Sequence, residues 1–277
     1  MNTSLHPKLA ELIRRLDLER IEDNIFRGYH PLGETGRLYG GQIMAQALIA
    51  AGRTVPADRP PHSLHGYFLR PGDPTIPVLF EVERIRDGRS FSTRRIVVVQ
   101  HGKAIFSMDV SFQAVEAGLV HQASMPDIAR PDDATVARAN QNDHFLTFLM
   151  EYKAKLAREP LPPAQHHWFC ANGEIPSNEP LLHAALLTFQ SDSALLSTSR
   201  LPHADKFARK DMQSASLDHA MWFHAPAVRA DQWILYALDA PRAVAARGFN
   251  RGMMFTESGE LVASTMQESL MRLRKNP

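Results

Sequence analysis

The sequence predicts an α+β fold made of two copies of one unit, each a long helix followed by an antiparallel β-meander. Three observations carry this expectation. "GKAIFSMDVSFQ" at 102–113 and "GELVASTMQESL" at 259–270 share the opening glycine and a serine five residues on. Ahead of them, "HSLHGYFLRPGD" at 62–73 and "ASLDHAMWFHAP" at 215–226 share a serine-leucine start, an aromatic centre and a late proline. Each set is preceded by a helical stretch, "GGQIMAQALIAAG" at 40–52 and "PLLHAALLTFQSDSALL" at 180–196.

Along the chain, "MNTSLHPKLAELIRRLDLERIEDNIF" places Leu9, Leu12, Ile13 and Leu16 at helical spacing with charges between them, so a surface helix is expected there and not a signal peptide. After the helix at 40–52, "PVLFEVERIRDG" and "FSTRRIVVVQHG" read as strands closed by turns at "RDG" and "QHG". "EAGLVHQASMPDIARPDDATVARANQND" is polar, contains proline and has no strong period, so it reads as a linker. The second helix leads to "QWILYALDAP" and "AARGFNRGMMFTESG", again strands, with a turn at "ESG". These readings divide the chain into an N-terminal repeat at 1–115, a linker at 116–165 and a C-terminal repeat at 166–277.

Composition bounds the function. Hydrophobic residues make up 44% and charged residues 22%, values that exclude disorder over the whole chain. A net charge of +1 gives no global field to attract nucleic acid or an anionic membrane, and no run approaches the ~20 apolar residues of a membrane span. The one cysteine, Cys170, cannot form an internal disulfide, which suits a cytoplasmic setting. No nucleic-acid or membrane partner is expected.

One position separates the two copies of the last strand. Ala104, Phe106, Met108, Val110 and Phe112 form an apolar face in the first, and the matching face in the second is Leu261, Ala263, Thr265, Gln267 and Ser269. Gln267 stands where the first copy has Val110, so the fold itself does not require an amide there.

A helix wrapped by an antiparallel sheet, present twice in one chain, is the double-hotdog architecture. The stretches "GRLYGGQIMAQAL", "HSLHGYFLRPGD", "SLDHAMWFHAP", "ARGFNRG" and "LVASTMQES" resemble those of the acyl-CoA thioesterase II (TesB-like) family, in order and over nearly the whole chain apart from the linker. The resemblance implies a cofactor-free hydrolase that takes acyl-CoA as its small-molecule substrate and binds no metal. It implies a catalytic triad in the second repeat at Asp192, Ser216 and Gln267, holding and activating a water for attack on the thioester. Two hotdog units in one chain already make a pseudo-dimer, and a homo-oligomer of such chains is expected.

The residues themselves bear on each position. Asp192 follows Phe189, Ala185 and Leu181 at helical spacing, which puts a carboxylate on an apolar stripe, although a helix-end capping role also suits the position. Gln267 and Asp192 are expected to point into one gap. Ser216 taken alone is a strand-edge serine, and the motif carries its assignment; the family more often has threonine there, and glycine where this chain has Ser269. A thioester needs a placed water, a base and oxyanion donors, the donors expected from backbone N–H groups at a helix N-terminus. Attack by Asp192 itself through an anhydride stays open.

Other signals weigh less. Neither "HSLH" nor "QHHW" has the HExxH spacing, Cys170 with His166 or His167 lies in a strand-like run, and no GxSxG is present. Asp218 and His219 are neighbours on a strand and so face opposite ways. Arg94, Arg95 and Lys103 suit either the phosphates of CoA or a solvated strand face. The alternatives to hydrolysis are a hotdog hydratase acting on enoyl thioesters and a non-catalytic acyl-CoA binding protein.

Overall fold

The computed structural model describes residues 5–30, 36–138, 143–151, 159–207 and 211–274. In the first repeat, α1 (Pro7–Leu16) is followed by β1 (Glu19–Glu22), β2 (Ile25–Gly28), α2 (Gly40–Gly52), β3 (Pro61–Phe68), β4 (Val78–Asp87), β5 (Phe91–Gln100) and β6 (Lys103–Gln113). The connecting chain carries α3 (Asp133–Arg138) and β7 (Phe145–Leu149). The second repeat comprises β8 (Ala164–Ala171), α4 (Pro180–Ser191), the single turn α5 (Leu195–Thr198), β9 (Met212–Ser216), β10 (Asp218–Phe223), β11 (Ile234–Val244), β12 (Arg247–Thr256) and β13 (Leu261–Leu273).

The thirteen strands of the described residues join one antiparallel sheet in the order β1-β2-β4-β5-β6-β3-β10-β13-β12-β11-β8-β7, with β9 also on β13. The two halves meet where β3 pairs with β10, Leu64 opposite Met221. Each half wraps its own helix, which is the double hotdog. α2 and α4 are buried all round, as helices enclosed by a sheet are: every residue from Gly41 to Ala51 is buried, and so is every residue from His183 to Ser191, the polar Gln42, Gln46, His183 and Gln190 included. The two helices pack on each other closely enough that a Cβ at Gly41 would collide with the Phe189 carbonyl.

The stretch 116–165 is more than a tether. β7 pairs with β8 at the sheet's far edge. Met125 and Ile128 of the connecting chain pack on a small cluster of Trp168, Leu235, Ala237 and Phe255, and the Trp168 indole N–H donates to the Ile128 carbonyl at 3.2 Å.

The repeats can be aligned by register. The β5–β6 and β12–β13 ladders share one irregularity, falling after Val98–Phe106 in the first and after Met254–Ala263 in the second. This superposes Arg94 on Asn250 and Val110 on Gln267. The other flank of the ladder corrects the alignment read from the sequence. Ser63-Leu64 does not match Ser216-Leu217: both repeats carry the same irregularity, between Pro61 and Ser63 in the first and at Leu217 in the second, so Ser216 falls on Pro61, and Leu64, opposite Val110, takes the place of His219.

Candidate active site

Asp192 does not continue the helix stripe. α4 ends at Ser191, Asp192 is its C-cap, and Ala194 turns the chain with a left-handed φ of 68°. The carboxylate is thereby aimed at the start of α2, where Oδ2 accepts the Gly41 N–H at 3.1 Å. A helix N-terminus favours negative charge, so one repeat's helix supports the acid of the other. The Ser216 hydroxyl donates to Asp192 Oδ1 at 3.5 Å, a long contact that a water or a small movement could tighten.

Gly40 and Ser216, which flank this carboxylate, are also walls of a cavity of about 450 Å³ between the repeats. Ile43, Phe68 and Phe106 from the first repeat and Leu196 and Leu217 from the second give it an apolar lining. Burial pushes the Asp192 carboxyl above the ordinary carboxylate range, against the opposing pull of His219, the Gly41 N–H and Ser216. Asp192 is half-buried, so its partial exposure tempers that rise.

Gln267 lies deeper and is bonded to neither Asp192 nor Ser216. Its Oε1 is 2.8 Å from His219 Nδ1, and its Nε2 donates to Ser269 Oγ at 3.1 Å. His219 Nε2 is 3.0 Å from Ser191 Oγ, one residue before Asp192. Asn250 extends the network, donating to Ser269 Oγ at 3.4 Å and accepting the Ser199 N–H at 3.1 Å. All of these side chains are buried. Burial also holds His219 below its ordinary value, with Asp192 and Gln267 opposing.

Sequence reasoning missed His219. The strand alternation does separate it from Asp218, which faces outward to His65 Nε2 at 3.1 Å and accepts the Glu268 N–H at 2.7 Å. That separation is what sends His219 inward. Its signal was available in the repeat, as a histidine opposite a glutamine where the first copy has leucine opposite valine, but the two-residue misalignment hid it. The expectation of oxyanion donors at a helix N-terminus named no residue, and the Gly41 N–H at the start of α2 is taken by Asp192.

Comparison with known proteins fixes the family. The model of the acyl-CoA thioesterase family matches residues 140–270, and that of the acyl-CoA thioesterase N-terminal domain matches residues 30–113. Acyl-coenzyme A thioesterase 8 of Mus musculus is 40% identical over an alignment covering 94% of this chain and 88% of its own. The chain belongs to the acyl-CoA thioesterase family. Acyl-CoA thioesterase 2 of Haemophilus influenzae is 37% identical, with 95% of this chain and 98% of that protein covered. The crystal structure of the acyl-CoA thioesterase II TesB2 from Mycobacterium marinum superposes with a TM-score of 0.83 at 40% identity, over 96% of this chain and all of that one.

Within this acyl-CoA thioesterase scaffold the first repeat lacks the buried polar cluster. Leu64, Arg94 and Val110 stand where the second repeat has His219, Asn250 and Gln267. Arg94 belongs neither to a solvated face nor to an exposed phosphate site: it is fully buried, with its guanidinium donating to Thr54 Oγ1 at 2.8 Å, the Thr54 carbonyl at 2.9 Å and Asp87 Oδ1 at 2.6 Å. Arg95 is exposed and paired with Asp109 at 2.9 Å. The Cys170 thiol donates to the Asp231 carbonyl at 3.3 Å, and burial pushes it up to about 12, so it is no thiolate nucleophile at neutral pH.

Proposed function

We propose that the protein hydrolyses acyl-CoA to the free fatty acid and CoA, with Asp192, Ser216 and Gln267 handling the attacking water. One observation carries this reading: a carboxylate at the edge of an apolar inter-repeat cavity, supported by a helix N-terminus and touched by a hydroxyl from the facing strand. The cavity walls suit an acyl chain, and the thioester carbonyl would lie near Ser216.

In this scheme Asp192 is the general base. It takes a proton from water as the water oxygen attacks the carbonyl carbon, a role worth roughly 10²–10⁴ in rate. Ser216 orients the carboxylate or the water. Gln267 carries an Nε2 proton that has no acceptor among the described residues, available to a water lone pair or to the developing oxyanion. Collapse of the tetrahedral intermediate expels CoA as a thiolate, which is acidic enough to leave without a strong general acid. The aspartate, activated by burial, serves as base or as nucleophile, and isotope incorporation under single turnover in H₂¹⁸O bears on the choice: a nucleophilic aspartate whose anhydride is opened by water at the Asp192 carboxyl carbon leaves the released acid unlabelled and carries the label itself.

The deciding experiment is thiol release from acyl-CoAs of several chain lengths, with enoyl-CoA hydration measured in parallel. Thiol release without hydration supports this function, hydration without thiol release supports the hydratase, and binding with neither supports a carrier.

A further inference from the structure

The buried core behind the site contains a titratable side chain that the hydrolysis scheme leaves unused. His219 is fully buried, and both ring nitrogens are engaged, Nδ1 with Gln267 Oε1 at 2.8 Å and Nε2 with Ser191 Oγ at 3.0 Å. It therefore bridges the strand that carries Gln267 to the last residue of the helix that aims Asp192. In the first repeat the same place holds Leu64, opposite Val110, so a leucine is compatible with the fold here.

We propose that His219 is a positioning residue for thioester hydrolysis, which donates its Nδ1 proton to Gln267 Oε1 and so fixes which way the Gln267 amide faces. The inference rests on the reading of Gln267 given above. A primary amide can turn over and exchange its oxygen and nitrogen at little cost unless a neighbour distinguishes them. With Nδ1–H against Oε1, the oxygen is occupied and Nε2 gives one proton to Ser269 and keeps the other unspent. With the amide reversed, the oxygen would face Ser269 and that second proton would be lost to the reaction.

The ring does this as a neutral imidazole when the Ser191 hydroxyl, 3.0 Å from Nε2, donates to it. The Ser191 hydroxyl has a single proton and two acceptors in reach, the Thr188 carbonyl at 2.8 Å and His219 Nε2. The proposed Nδ1–H tautomer requires that proton to turn from the Thr188 carbonyl, which accepts it in the structure, to Nε2. A neutral ring agrees with its burial; Asp192, at the end of α4, is the carboxylate on its side of the sheet, while Asp218 on its own strand and His65 on β3 pair on the opposite face.

The test uses the full chain with His219→Leu, His219→Asn, His219→Gln, Gln267→Val and the His219→Leu/Gln267→Val double variant, each assayed for kcat and KM with one acyl-CoA and for thermal melting. Asn carries a donor where Nδ1 stands, and Gln carries one where Nε2 stands. The expected results are a kcat lower by roughly tenfold or more in His219→Leu at near-parent KM, recovery to within a few-fold in His219→Asn but not His219→Gln, and a double variant no slower than the slower single variant. Parent-like kcat in His219→Leu, an Asn variant as slow as the Leu variant, or losses that multiply in the double variant would overturn the proposal. If His219→Leu does not fold, the Asn-against-Gln comparison decides alone. Parent-like activity in Gln267→Val would instead overturn the role of Gln267 itself, a separate outcome.

Discussion

Gln267 and Val110 occupy the same place in the two repeats, each opposite its partner in an equivalent ladder, Gln267 facing Asn250 and Val110 facing Arg94. The replacement is not isolated. Where the second repeat holds a connected set of neutral polar groups, the first holds leucine, valine and one arginine whose guanidinium is consumed by Thr54 and Asp87. One copy of a duplicated scaffold keeps a polar cluster that can attend to a water, and the other has spent its polar capacity on its own structure. Buried polar groups without partners cost roughly 1–3 kcal/mol each, so the polar groups of both arrangements are drawn into hydrogen bonds, with the second Nε2 proton of Gln267 left over.

Gln267→Val should therefore fold and lose activity. Its cost to stability comes from His219 Nδ1, which loses its partner while Ser269 Oγ keeps Asn250, and amounts to about 1–3 kcal/mol. Near-parent secondary structure by circular dichroism with thiol release reduced at least tenfold is the expected pair of results. An unfolded variant would make the amide structural.

Asp192→Asn should reduce kcat by at least about 10²-fold, as loss of the base requires. Stability should move the other way. The folded-state pKa of Asp192 is raised, so the native state gains from its proton at low pH and loses that gain as pH rises through the folded value. At neutral pH the parent buries a charge that the Asn variant does not, so the variant's Tm should equal or exceed the parent's, with the difference shrinking in acid. The same direction of shift places the acid limb of the parent's kcat profile above the ordinary carboxylate range. A limb at or below that range would show that Gly41 and Ser216 outweigh burial.

How far the sequence discloses this arrangement varies with the physics involved. The α2 span, the strands and the turns at "QHG" and "ESG" are local in origin, and His101, Gly102 and Gly259 have the positive φ that those turns demand. The Val110-to-Gln267 exchange was legible because two strands of one chain could be compared. The end of α4 was not, since nothing in "SDSALL" marks the left-handed Ala194 that stops the helix, and hence the turn that aims Asp192 at Gly41 was hidden. His219 stayed hidden because strand register is a tertiary event: the serine-leucine likeness aligns Leu64 with Leu217, whereas pairing with β6 in one repeat and β13 in the other aligns Leu64 with His219.

The β11–β12 turn conflicts with its sequence. Ala245 and Ala246 both have positive φ, 50° and 58°, in a two-residue turn that favours Asn-Gly, and both are exposed. Ala245→Asn with Ala246→Gly should relieve strain without disturbing packing, a gain of up to about 1 kcal/mol that corresponds to about 2–4 °C in Tm. The kcat should not change, since the turn touches none of the catalytic candidates. A lower Tm would show that the extra freedom of glycine in the unfolded chain outweighs the relief.

Ser216 offers the most direct reading of the site, because it is both a cavity wall and a neighbour of the carboxylate. At 3.5 Å its hydrogen bond to Asp192 is weak in the resting enzyme, so any catalytic value must come from contraction or from a water held between the two. Ser216→Ala should then change KM little and lower kcat by roughly fivefold, the equivalent of one neutral hydrogen bond, or more if the contact strengthens in the transition state. Ser216→Thr should keep or raise kcat, because the added methyl restrains χ1 and the side chain stands at a cavity and not in a filled core. Crowding is the opposing effect: Ser216 sits opposite Ser269, whose hydroxyl already holds Gln267 and Asn250. Steady-state kinetics on both variants with one acyl-CoA separate these effects. An Ala variant equal to the parent beside an inactive Thr variant would show that the position is governed by space alone, and would leave Asp192 and Gln267 to manage the water without a hydroxyl.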